Sequence, residues 1–209
     1  MKIAVIAANG RAGQKIVAEA VNRGLDVTAI VRGENKTVAK NFIKKDIMSL
    51  TKDDLKNFDV VIDCFGAWTA ETLPLHTTTS QHLCDILSGT DTRLLIIGGA
   101  GSLYLDKEHT TQVFRAPNFP AEYLPTATAQ SNELDELRKR NDVKWTFVSP
   151  AADFQADGER TGEYILAGEE FTLNAKGESV ISYADYAVAM VDEATKGDNI
   201  QKRISVLRK

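Results

Sequence analysis

The chain has 209 residues, a formal net charge of −4, 43% hydrophobic and 26% charged residues. That composition supports one packed core rather than a disordered chain, and it supplies no global positive field for nucleic acid or an anionic membrane. No apolar run approaches the ~20 residues needed to span a bilayer. The N-terminus enters a strand-like run directly, and Cys64 and Cys84 do not make a disulfide framework, so a reduced, cytoplasmic setting is expected.

The first half alternates short β-branched runs with amphipathic stretches, the pattern of a parallel α/β sheet. Lys2–Ala7 is a continuous apolar run, as in a strand covered on both faces. Ile16, Val17, Ala20 and Val21 follow on one helical face, and Gly24 suits the stop. "DVTAIVR" predicts strand two, "NFIKKDI" a shorter strand three and "FDVVIDCFG" strand four. A helix is expected over much of Leu75–Leu87, and "TRLLIIGG" reads as strand five. A loop rich in Phe, Pro and Tyr spans about Leu103 to Pro125. Gln130, Leu134 and Leu137 mark the next helix, and "VKWTFVSP" is strand six. Beyond Ala151 the pattern shifts to short strands and turns. Ser182 and Asp185 then form an S-x-x-D helix start, and "KRISVLRK" ends the chain as a strand. No internal repeat or linker divides it, so residues 1–209 are expected to form one domain. Its cofactor-binding core would be residues 1–150 and its substrate lobe residues 151–209.

"AANGRAG" joins the first strand to the first helix. This is where a dinucleotide-binding unit holds a pyrophosphate on helix N-terminal amides. Ala8, Asn9, Gly10, Arg11, Ala12 and Gly13 are therefore expected at the cofactor. Ala7 takes the place of the usual first glycine, at a cost of about 1 kcal/mol or slightly more if that position needs positive φ. An ordinary strand–turn–helix would use glycine for the bend alone. At the end of strand two, where NAD-preferring proteins carry an acid for the ribose hydroxyls, stands Arg32. With Arg11 it suits a 2′-phosphate, hence NADP(H) over NAD(H). The alternative for Arg32 is a solvated loop charge. Asp46 and Ile47 after strand three are placed for adenine. Cys64, Phe65 and Gly66 after strand four are placed along the adenosine ribose.

Beyond the loop, "VVIDCFGA", "IIGGAGSLY", "FPAEYLP", "WTFVSPAADF", "GERTGEY" and "GESVISYADYAVAMVDE" resemble the atypical short-chain dehydrogenases of the NAD(P)H–flavin reductase type. These are relatives of the NmrA-like and biliverdin reductase B proteins. The resemblance covers nearly the whole chain. It implies a Rossmann-like, doubly wound parallel sheet with a small C-terminal substrate lobe and a bound NADP(H). Leu124 stands where that family commonly has lysine after "FPAEY". The resemblance also points to Pro150 as the nicotinamide-side wall.

None of the five tyrosines begins a Tyr-x-x-x-Lys, and Tyr123 has Ala127 at that spacing, so alcohol–ketone chemistry by that route is disfavoured. Hydride transfer to a flavin or quinone asks mainly for positioning, with FMN or riboflavin as substrate rather than resident cofactor. Gly98 and Gly99 would permit close approach of the nicotinamide. Ser102 would orient the nicotinamide or donate to the acceptor, or else serve as a turn or cap. Tyr123 and His109 complete the candidate catalytic set, with His109 as proton donor. Phe114, Phe119, Tyr123 and Phe154 would form an apolar slot, or simply core. Arg160 would clamp an anionic substrate group, or pair with Glu159 or Glu163. His76 and His82 are not spaced as a metal pair, and no metal is expected. A non-catalytic NADP(H)-binding sensor of the NmrA-like kind is the second reading, and an epimerase ranks below it. A nucleophile-elbow hydrolase is disfavoured. Expected partners are a small planar acceptor, no nucleic acid and no membrane, for a monomer or homodimer.

Overall fold

The computed structural model describes all residues from Met1 to Lys209. Ten strands and five helices alternate along the chain. The first half runs β1 (Lys2–Ile6), α1 (Arg11–Asn22), β2 (Asp26–Val31), β3 (Asn41–Lys44), α2 (Lys52–Leu55), β4 (Val60–Asp63), α3 (Leu75–Leu87) and β5 (Arg93–Ile97). The second half runs α4 (Leu124–Leu137), β6 (Lys144–Pro150), β7 (Asp153–Gln155), β8 (Ile165–Ala167), β9 (Val180–Ser182), α5 (Tyr183–Lys196) and β10 (Lys202–Leu207).

The main sheet has the order β3-β2-β1-β4-β5-β6-β10-β8. Every pairing is parallel except β10 with β8. Chain direction across the sheet reverses between β1 and β4, and an open α/β sheet binds ligands at such a switch point, beyond the strands' carboxyl ends. Successive β1 side chains feed opposite layers. Ile3 and Val5 join α1 and α5 in one core, while Ala4 and Ile6 join α3 and α4 in the other. Two covered faces explain why the strands read as unbroken apolar runs.

Residues beyond 150 divide in two. β10 and β8 extend the main sheet and α5 packs beside α1, whereas β7 and β9 pair separately as the small lobe. The Ser182 Oγ accepts from the Asp185 N–H at 2.9 Å and caps α5, as S-x-x-D predicts. Helix α4 takes Pro125 into its first turn, where a missing N–H costs nothing. The short α2 was not anticipated. Its signal is a second cap, with the Thr51 N–H donating to Asp54 Oδ2 at 2.8 Å. No helix is long and apolar enough to cross a membrane.

Candidate cofactor and acceptor site

The glycine loop is built as an anion cradle. Gly10 caps α1 without a side-chain hydrogen bond, and no acid occupies the first turn. The first bond into the helix is Gln14 N–H to Gly10 O, at 2.9 Å. The N–H groups of Asn9, Arg11, Ala12 and Gly13 have no acceptor in the protein. Four open amides at the positive end of a helix dipole suit a pyrophosphate. Gly13 is required by packing, since a Cβ there would lie 2.9 Å from Ala7 O, Ala8 Cα and Ala8 O. Ala7 adopts φ 53°, so the missing glycine falls at a left-handed position and the alanine is strained.

The second wall comes from the β2–β3 loop. Asn9 Nδ2 donates to Glu34 O at 2.7 Å, and Asn9 Oδ1 accepts from Lys36 N–H at 2.8 Å. This tie fixes the loop carrying Arg32 against the cradle. Asn9 was expected only as one member of the loop, and its bracing role needed the fold. Arg32 is exposed and takes part in no hydrogen bond or ion pair, so its guanidinium is free for a ligand. Ile30 pairs with Ile6, which sets Arg32 level with the glycine loop. Arg11 meets Asp157 at 3.0 Å, but its side chain is 67% and that of Asp157 94% exposed. Such a pair holds little free energy. Asp46 is partly used, because its Oδ1 accepts from Met48 N–H at 2.9 Å, and Ile47 is buried in the α3–α4 core.

On the other side of the switch, Asp63 pairs with Ile6 at the end of β4. Cys64 is half-buried, and burial together with the Asp63 charge keeps its thiol well above the usual range. Phe65 N–H donates to Asp63 Oδ1 at 2.9 Å, Gly66 is exposed, and Trp68 projects 74% exposed just beyond it. Beneath this loop lies a buried polar cluster that sequence reasoning missed, because its members come from β4, α3 and α4. His76 Nδ1 sits 3.7 Å from Glu133 Oε2, and its Nε2 reaches both the N–H and the carbonyl of Ala67, at 3.3 and 3.2 Å. Burial, then the charge of Glu133, push the Asp63 carboxyl up to about 7. Burial works against a charged His76, but Glu133, the Ala67 carbonyl and Asp63 outweigh it and raise its pKa.

Several expected roles take a different form here. Packing alone accounts for Gly98, whereas Gly99 faces only the movable end of the Gln130 side chain. A Cβ on Gly98 would lie 2.1 Å from the Phe147 ring, and one on Gly99 2.1 Å from Gln130 Oε1. Ser102 is only 2% exposed and accepts from Arg203 Nη1 at 3.2 Å, so its hydroxyl is engaged inside the protein. His109 stacks on Tyr104 and meets Glu170 Oε1 at 2.8 Å. Arg160 pairs not with its neighbours Glu159 and Glu163 but with Glu19, at 3.0 Å, because the fold lays its loop against α1. Phe154 packs on Tyr183 and Tyr186, 4.0 and 4.8 Å between ring centroids, and forms no ring pair with Phe114, Phe119 or Tyr123. Phe114 and Phe119 are half-buried, Tyr123 is 61% exposed, and Pro150 is buried at the end of β6.

The open cradle and the switch-point sheet define a dinucleotide-binding protein, and comparison with known proteins agrees. Residues 7–196 match the NAD(P)H-binding family, to which this chain belongs. The uncharacterized protein YwnB of Bacillus subtilis is 44% identical over 99% of this chain and 98% of its own. SP1627 of Streptococcus pneumoniae, proposed as an NADH-flavin reductase, is 60% identical with full coverage of both chains and a TM-score of 0.98. A Bacteroides thetaiotaomicron protein proposed as an epimerase is 33% identical over 99% of this chain and 96% of that one, with a TM-score of 0.86.

Proposed function

We propose that this protein is an NADPH-preferring reductase of small planar acceptors, flavins or quinones. The observation that carries the cofactor half is the unpaired Arg32 guanidinium, on a loop that Asn9 ties through Glu34 and Lys36 beside four open amides. The pyrophosphate would rest on the amides of Arg11, Ala12 and Gly13, with Arg32 and Arg11 facing the 2′-phosphate. The acceptor half is supported by the name of the Streptococcus pneumoniae relative and by the missing Tyr-x-x-x-Lys. When bound, the cofactor supplies hydride from nicotinamide C4. A flavin or quinone takes that hydride and one solvent proton, leaving NADP⁺ and the dihydro acceptor. No protein acid is then required, in keeping with the engaged hydroxyl of Ser102 and the His109–Glu170 pair.

Those same engaged groups favour a second reading, a redox sensor that binds NADP(H) and turns nothing over. Loss of NADPH absorbance, followed across FMN, riboflavin and small quinones with NADH in parallel, separates the two. Acceptor-dependent oxidation of NADPH well above NADH supports the reductase. Saturable NADPH binding without turnover supports the sensor.

A further inference from the structure

We propose that Trp68 is the stacking platform for the planar acceptor, an inference that rests on the reductase reading. At 74% exposed it is the most exposed of the large hydrophobic side chains. It forms no aromatic pair and carries no stacked cation. Its mount, by contrast, is fixed. Ala67 is 4% exposed, with both backbone polar groups within reach of the buried His76. On the far side the Thr69 N–H donates to Thr72 Oγ1 at 3.2 Å. A large apolar ring held out on a pinned loop is pre-organised for a partner that the chain itself does not supply.

Placement selects the partner. Arg32 and the open amides occupy the β1–β2 side of the switch point, which assigns the adenosine phosphates there. A dinucleotide laid across the switch carries its nicotinamide toward β4 and β5, and the acceptor must lie over that ring. Trp68 stands on the loop leaving β4. Gly66 leaves the near rim of the indole open, since a Cβ there would lie 3.4 Å from Trp68 Cζ2. An electron-rich indole suits an electron-poor isoalloxazine or quinone ring, and loss of such stacking costs roughly 1–3 kcal/mol in ring–aromatic systems, about 5- to 150-fold.

The test compares wild type, Trp68→Ala and Trp68→Phe. Riboflavin binding to the NADP⁺-saturated protein is read by flavin fluorescence polarisation. Steady-state constants for riboflavin and NADPH are measured on the same samples. The alanine variant should weaken riboflavin binding and raise its KM about fivefold or more, with NADPH affinity unchanged and phenylalanine restoring most of the loss. Unchanged riboflavin binding in Trp68→Ala overturns the platform while leaving the reductase reading intact. A loss of NADPH affinity in its place would assign the indole to the cofactor and also overturns it. Riboflavin bound through Trp68 by a protein that oxidises no NADPH keeps the platform and sinks the reductase. A wild type that binds no riboflavin ends the proposal.

Discussion

Replacing Ala7 by glycine tests the geometry of the cradle with little change in its chemistry. Ala7 sits at φ 53°, where an L-residue with a Cβ costs about 1–2 kcal/mol. Glycine removes that strain but gives the unfolded chain more freedom, which returns about 0.4–1 kcal/mol. The net expectation for Ala7→Gly is a gain of about 0.5–1 kcal/mol, or about 1–4 °C in Tm for a domain of this size. The partner substitution should move the other way. In Gly13→Ala the new Cβ meets three backbone atoms at 2.9 Å that have no rotamer to yield. Overpacking of that kind costs about 1–3 kcal/mol, and alanine's better helix propensity recovers at most about 1. Urea unfolding of the three proteins reads both signs, and a shifted midpoint at constant m-value marks a true stability change. A midpoint for Ala7→Gly at or below wild type would refute the strain argument.

Arg32→Ala should weaken NADPH ten- to hundred-fold while moving NADH less than about twofold, since one charge-assisted bond is worth roughly 1.5–3 kcal/mol. Titration at fixed ionic strength decides it, and equal losses for both cofactors would remove the 2′-phosphate role. Asp63 titrates near 7 in the fold against 3.8 as its ordinary value. The folded state therefore holds the proton more tightly, and this stability is complete below about pH 4 and lost as pH rises through 7. Asp63→Asn keeps an oxygen for the Phe65 N–H and cannot ionise, so its unfolding free energy should fall less steeply from pH 5 to 8, and an unchanged slope would exclude Asp63 as its source. Arg160→Ala should cost only about 0.5–1 kcal/mol, because the guanidinium is 53% exposed. Its acceptor KM should stay within about twofold of wild type, and a larger rise would return Arg160 to the substrate.

The strands and their α/β alternation were legible in the sequence because β1, β2, β4, β5 and β6 are covered on both faces, which forces apolar runs that no surface element would carry. The turn of the glycine loop and the place of Arg32 just past β2 were legible for a related reason, since local backbone geometry is set by neighbouring residues. Short elements were harder. The four-residue α2 has too few positions to show a period, so only its Thr51–Asp54 cap marks it.

What each polar side chain touches was decided by tertiary structure. Arg160 finds Glu19 across 141 residues, and Ser102 finds Arg203 across 101. Neither spacing carries a periodic signal. Spare capacity was equally hidden. "GAW" does not reveal that Ala67 is pinned from below by His76 while Trp68 is left outside, nor does "AANG" reveal that Ala7 must turn left-handed. Local chemistry can be read along a chain because it depends on neighbours. Partnership and exposure depend on the packing of distant segments, and only the folded structure brings those together.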